Sequence, residues 1–178
     1  MTQDRAARLV VMGAQGSGKT TIGGMLAEQL GVAFIDADRL HTPENIERMA
    51  AGLPLGDAER EPWLRRVGQA IADAEGGVVM ACSALKRSYR DILRAYEPGL
   101  YIVEPHGPIE LVAERIRART HEYMPPSLLQ SQFDTLQPLQ DDEIGVRVSI
   151  ELTPDQIVRT VLADYSARPG HHRIGETR

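Results

Sequence analysis

The chain has 178 residues, a formal net charge of −5 and one cysteine, Cys82. The length suits one domain. The acid excess without a basic block excludes a nucleic-acid footprint, and no apolar run approaches the roughly 20 residues of a membrane span. A lone cysteine excludes an internal disulfide framework and suits a reducing, cytoplasmic setting, and no secretory signal is visible.

In chain order, Leu9-Val10-Val11-Met12 reads as a buried strand over 8–12. Gly13-Ala14-Gln15-Gly16-Ser17-Gly18-Lys19-Thr20 follows, a complete G-x-x-x-x-G-K-[ST] loop. Its glycines let backbone N–H groups turn inward onto phosphate oxygens, and the start of the next helix (19–30) adds partial positive charge. Lys19 is expected to reach the β- and γ-phosphates and the Thr20 hydroxyl to ligate Mg²⁺, with Thr21 extending the set into the helix. Only two lysines occur, Lys19 and Lys86; every other side-chain cation is arginine. A flexible point charge suits a phosphate loop better than a planar fork, so Lys86 becomes a second suspect.

A second strand over 33–36 runs into Asp36-Ala37-Asp38-Arg39-Leu40-His41. In an extended segment, alternate residues share a face, so Asp36 and Asp38 are expected to point together at a strand's carboxyl end, where open α/β sheets bind ligands. One carboxylate suits a Mg²⁺-bound water, the other an acceptor hydroxyl's proton. An Asp-rich capping turn is the plainer reading. Helices are expected over 43–51 and 61–74.

The third strand, 77–82, carries Cys82, read as inert core packing, and leads to Ser83-Ala84-Leu85-Lys86-Arg87-Ser88-Tyr89-Arg90. Lys86, Arg87 and Arg90 sit near the start of a helix over 86–96. Positive charge there opposes the helix dipole unless an anion offsets it; an exposed basic turn is the alternative. No acid ends this strand, which leaves Asp36 as the metal partner.

A fourth strand over 100–104 precedes a helix over 108–119 that ends with Arg115, Arg117 and Arg119. At 100° per residue Arg115 and Arg119 share a face. The turn-rich stretch His121-Glu122-Tyr123-Met124-Pro125-Pro126 then suggests a mobile lid over about 119–133, with Arg115 and Arg119 reaching phosphates on closure. Cations favoured by a helix C-terminus are the plainer account. Pro125 replaces the second histidine of H-E-x-x-H, so no zinc motif is present. A fifth strand over 145–150 and a helix over 153–166 complete one domain, 1–166. Thr153-Pro154-Asp155-Gln156 forms a capping box. Residues 167–178 read as a polar tail, where His171 and His172 are solvated. Alternation of strands and helices predicts an α/β fold with a parallel five-stranded sheet flanked by helices.

These motifs resemble the small gluconate kinases of the phosphate-loop type. Matching stretches begin at the loop and continue through Asp36-Ala37-Asp38-Arg39-Leu40-His41 with Pro43 and Asn45, and Met49-Ala50-Ala51-Gly52-Leu53-Pro54-Leu55. Asp57, Arg60, Pro62-Trp63-Leu64, Ala81-Cys82-Ser83-Ala84-Leu85-Lys86-Arg87 and Tyr89-Arg90-Asp91 follow, then His121, Met124-Pro125 and Ser131-Gln132-Phe133. Tyr123 stands where Phe is common, and Gln137 where an acid is common. The resemblance implies a fold similar to shikimate and adenylate kinases, a lid and a homodimer. It implies ATP and Mg²⁺ as donor and metal, gluconate as acceptor, and 6-phosphogluconate as product. Asp38 then orients the acceptor and takes its proton, Asp36 and Thr20 hold the metal, and Lys19, Arg119 and Arg115 serve the phosphates. His41, Arg60, Ser83, Lys86, Arg87 and Arg90 become candidates for the acid's hydroxyls and carboxylate. Two rivals stay open. One is a kinase for another small hydroxy acid such as shikimate, whose kinases carry a Gly-Gly-Gly where Ala81-Cys82-Ser83 stands. The other is a GTP-dependent switch, against which the missing N-K-x-D counts.

Overall fold

Five short strands form one parallel sheet in a computed structural model, which describes residues 6–119 and 125–169. They are β1 (Arg8–Val11), β2 (Ala33–Asp36), β3 (Val78–Ala81), β4 (Tyr101–His106) and β5 (Gly145–Ser149), in the order β2-β3-β1-β4-β5. Helices connect them: α1 (Lys19–Leu30), α2 (Pro43–Ala50), α3 (Asp57–Asp73), α4 (Arg87–Tyr96), α5 (Ile109–Ala118), α6 (Pro126–Thr135) and α7 (Pro154–Ala167). The inner strands are mostly apolar because both faces of the sheet are covered; the exceptions are Arg8 at the start of β1 and Glu104 and His106 in β4. Leu9 and Val11 point into one core with Ile22, Leu26 and Val161; Val10 and Met12 point into the other with Trp63, Leu64 and Leu93. That alternation is the two-residue period of a strand.

β1 lies in the middle, paired with β3 on one side and β4 on the other. Its carboxyl end is therefore the point where the strand order reverses and the connections diverge, and a crevice opens there. A third, smaller core gathers Ala14 of the loop with Val112 and Ile116 of α5, Leu129 of α6 and Ile150. It fastens the phosphate loop to the two helices beside it.

Several sequence expectations change. Helix α3 starts at Asp57, four residues before the expected start, and carries Pro62 within it; the Glu59 carboxylate accepts the Gly56 N–H (2.8 Å) and fixes the earlier start. The stretch expected to be a turn-rich lid contains helix α6, for which Pro126 at the first helical position is well suited because that residue's N–H has no intrahelical partner. Residues 120–124, including His121, Tyr123 and Met124, lie outside the described residues. Residues 167 and 168, expected to lie in a tail, are held by the fold. Helix α7 runs through Ala167, and Arg168 bonds Asp164 (2.7 Å) and the Gly145 carbonyl (2.7 Å). His171 and His172 lie outside the described residues.

Candidate active site

The loop from Gly13 to Thr20 wraps the carboxyl end of β1. Gly13 N–H donates to the Ser83 carbonyl (3.1 Å), so the loop is tied to the end of β3. Gly16 has φ +80°, and a Cβ there would lie 2.6 Å from Ile116 of α5. Both the left-handed backbone and this close approach require glycine. Gly18, also left-handed, ends the loop and caps α1.

A cleft of about 670 Å³ opens over the loop. Its walls carry Gln15, Gly16, Gly18, Lys19, Thr20 and Thr21 from the loop side, Asp36 and Asp38 from the end of β2, Ser83 from the turn after β3, Arg119 from the cap of α5 and Gln132 from α6. The two aspartates do converge here, although for a different reason from the one expected. The chain is extended only to Asp36 and then turns into a 3-10 turn over Ala37–Leu40. The Asp36 carboxylate accepts the Asp38 N–H (3.0 Å), and this short loop, not strand alternation, sets the pair.

The turn itself is held from below. Trp63 Nε1 donates to the Ala37 carbonyl (2.8 Å), and the Trp63 ring stacks on His41 with centroids 4.3 Å apart. His41 Nε2 lies 3.9 Å from the Asp38 carboxylate. Burial pulls the His41 pKa down despite that carboxylate, which keeps the ring neutral at pH 7. Trp63 is thus the platform of the aspartate turn. Nothing local in the sequence assigns it this role; the one signal is that it is the only tryptophan in the chain.

Lys19 Nζ donates to the Ala14 carbonyl (2.9 Å). Burial pulls its pKa down, opposed first by Asp38 and then by Cys82 and Asp36, while Arg119 pushes the same way as burial. These influences place Lys19, both aspartates and Arg119 in one electrostatic neighbourhood. Cys82 is buried beneath it, and burial pushes its thiol up to about 12, as inert packing requires.

Three expected site residues stand elsewhere. Arg90 is fully buried. Its guanidinium grips both Glu143 oxygens (2.7 and 2.8 Å) and donates to the carbonyls of Ala84, Leu85 and Gln137. No donor or surface remains for a substrate, so Arg90 is a structural residue. It supports the turn after β3, where Ala84 takes the left-handed φ of 39°. Arg115 donates to the Ile150 carbonyl and ties α5 to the end of β5, away from the cleft wall. It does not share a face with Arg119, because α5 ends at Ala118 and Arg119 is its non-helical cap. Arg87 is engaged by Asp142 (2.7 and 2.8 Å) and Gln140 (2.8 Å). The Gln137 side chain caps the Arg87 N–H (2.7 Å) at the start of α4, so the departure at 137 serves helix capping.

Lys86 and Arg60 form a separate cluster. Lys86 Nζ bonds both Asp57 oxygens (2.9 and 3.0 Å), and Tyr89 donates its hydroxyl to Asp57. Lys86 and Arg60 both lie against the Tyr89 ring, 5.5 and 5.9 Å from its centroid. Hydrogen bonds from Tyr89 and Lys86 hold the Asp57 carboxyl below its usual range, and Asp57 holds Lys86 above.

A phosphate loop at a switch point, with a hydroxyl, two carboxylates and an arginine on the same cleft, is the arrangement of a phosphate-loop kinase of small molecules. The comparisons agree. A family model described as shikimate kinase matches residues 15–147. The gluconokinase of Gluconobacter oxydans (strain 621H) is 42% identical over 162 residues, 89% of this chain and 91% of that protein. The crystal structure of a gluconokinase from Sinorhizobium meliloti 1021 superposes with a TM-score of 0.83 at 45% identity, covering 91% of this chain and 93% of that one. A shikimate kinase from Aquifex aeolicus, 20% identical with a TM-score of 0.59, shares the fold. The chain belongs to the gluconokinase family. Membership implies ATP as phosphoryl donor and, as is usual for such kinases, Mg²⁺.

Proposed function

We propose that the protein transfers the γ-phosphoryl group of Mg-ATP to a hydroxyl of D-gluconate, forming 6-phosphogluconate. The observation that carries this is the convergence of Lys19, Thr20, Asp36, Asp38, Ser83 and Arg119 on one cleft in a chain so similar to named gluconokinases.

The donor set fits Mg²⁺. No group of three or more His, Cys, Asp or Glu gathers among the described residues, and Mg²⁺ is usually bound by one or two protein oxygens with waters and substrate phosphates. Thr20 and Asp36 would hold it, where its charge neutralises that of the phosphates. Lys19 and the loop amides compensate charge on the phosphoryl oxygens, which is most of what a protein supplies in this reaction. Asp38 orients the acceptor hydroxyl and takes its proton; neutral His41 beneath it adds no competing charge. Arg119, on the cleft wall at the end of α5, reaches the transferring group. Ser83 and the Lys86–Arg60 pair read the acid's hydroxyls and carboxylate, with Asp57 holding the cations in register. On this reading the enzyme acts in the cytoplasm as a homodimer; among the described residues no helix is long and apolar enough to cross a membrane.

The test is a coupled ATPase assay over gluconate, other aldonic acids, the neutral polyol sorbitol, and shikimate. Gluconate should give the highest kcat/KM by at least about tenfold, a difference of 1.4 kcal/mol in transition-state binding. A higher value for shikimate or sorbitol would overturn the assignment.

A further inference from the structure

Helix α6 touches the phosphate loop through a polar contact that the roles above leave unused. The side-chain oxygen of Gln132 accepts the N–H of Gln15 at 2.7 Å. A backbone N–H can only donate, so the amide oxygen must face the loop and the amide nitrogen must face away. That nitrogen, with two donor hydrogens, has no hydrogen-bond partner among the described residues, and Gln132 lines the cleft. The side chain is therefore fixed at its oxygen and carries an unspent donor on the cleft wall.

Its place along the cleft follows from Lys19. A phosphate-loop lysine reaches the β- and γ-phosphates, while the amides at the helix start cradle the α- and β-phosphates. Lys19 Nζ lies on the Ala14 carbonyl, next in sequence to Gln15. Residues 14–15 thus border the γ end of the site, and Gln132 stands over residue 15. Its backbone is steadied there because Leu129, one helical turn earlier, packs with Ala14, Val112 and Ile116.

We infer that Gln132 is a phosphoryl-positioning residue: its oxygen holds the Gln15 amide while its nitrogen donates to an oxygen of the transferring γ-phosphoryl group. One side chain then links α6 to both the loop and the reacting group. The inference rests on the phosphoryl-transfer reading and is independent of which acid is the acceptor.

The experiment compares the affinities of Mg-ADP and of the Mg complex of β,γ-imido-ATP by calorimetry, with no sugar acid present. Gln132→Met removes both hydrogen bonds at similar volume. It should lower the preference for the imido analogue over ADP by about tenfold, as the loss of one hydrogen bond to a charged group predicts. Gln132→Glu keeps an acceptor for Gln15 N–H but replaces the donor with a negative charge. Its preference for the analogue should fall at least as far, with ADP binding within threefold of wild type. A residue that merely anchored α6 would behave differently: Gln132→Met would weaken both ligands equally and leave their ratio unchanged. That result, or an unchanged ratio in Gln132→Glu, overturns the inference. Failure here would leave gluconate as acceptor untouched, and failure of the acceptor panel would leave this ratio unaffected.

Discussion

Arg90→Met tests whether that arginine belongs to the architecture or to the substrate. Its side chain is wholly inaccessible and forms a two-pronged pair with Glu143, itself almost fully buried. Removing one member of a buried pair typically costs about 3–5 kcal/mol, because the other charge is left uncompensated. Here the stranded carboxylate keeps two partners, Arg94 at 2.8 Å and the Gln140 N–H at 3.0 Å. The loss should therefore fall near the lower limit, about 3 kcal/mol. For a chain of this length each kcal/mol moves Tm by roughly 2–4 °C, so the variant should melt about 6–12 °C lower. Scanning calorimetry with urea titration reads this directly. A cycle with Glu143→Gln should give a coupling energy of about 1–3 kcal/mol, as expected for groups in one network. At 15 °C, where the variant is still folded, KM for gluconate should stay within about twofold of wild type. The reasoning is refuted if Arg90→Met melts with the wild type while KM for gluconate rises tenfold, since only a substrate contact would produce that pair of results.

Lys19→Ala should leave the melting curve nearly unchanged and reduce kcat by about 10²–10³, the usual worth of one charge-stabilising donor; wild-type turnover would remove Lys19 from the chemistry. Asp38→Asn should lower kcat by about 10²–10⁴ with ATP affinity little changed, whereas Asp36→Asn should raise the Mg²⁺ concentration needed for half-maximal rate, and an exchange of these phenotypes reverses the two roles. Burial opposes ionisation of Glu143, yet Arg90, the Gln140 amide and Arg94 together draw its pKa down to about 2. Since the folded value lies below the unfolded one, the contribution is complete above about pH 4.5 and is lost as pH falls toward 2, amounting to roughly 3 kcal/mol. Urea midpoints from pH 6 to pH 3 should fall more steeply for wild type than for Glu143→Gln, and parallel profiles would contradict the pairing.

The sheet was legible because parallel strands buried on both faces must be continuous apolar runs, and Leu9–Met12 and Val78–Ala81 are such runs. The phosphate loop was legible because its chemistry is local: eight consecutive residues supply the curl, the amides and the cation. Helix α7 announced its own start through Thr153 and Gln156, which do form the capping box. What escaped was non-local or fell at a terminus. Arg90 reads as an exposed helix cation until Glu143, 53 positions away, is seen beside it. Arg119 obeys no helical period because the helix has already ended. Pro125-Pro126 suggests a turn, and the second proline instead opens α6. The aspartate pair was found from a wrong local picture, since its geometry depends on Trp63 reaching back to Ala37.

The scarcity of lysine makes the surface nearly blank to amine chemistry. Only two side-chain amines exist in the chain, and their pKa values are shifted in opposite directions: burial draws that of Lys19 down, and Asp57 holds that of Lys86 up. Any acylating agent, whether a laboratory ester or a cellular acyl donor, therefore finds one competing lysine, Lys86, whose ammonium is held by Asp57. Modification of a single side-chain amine would titrate phosphoryl transfer itself, and a bound nucleotide would act as the protecting group.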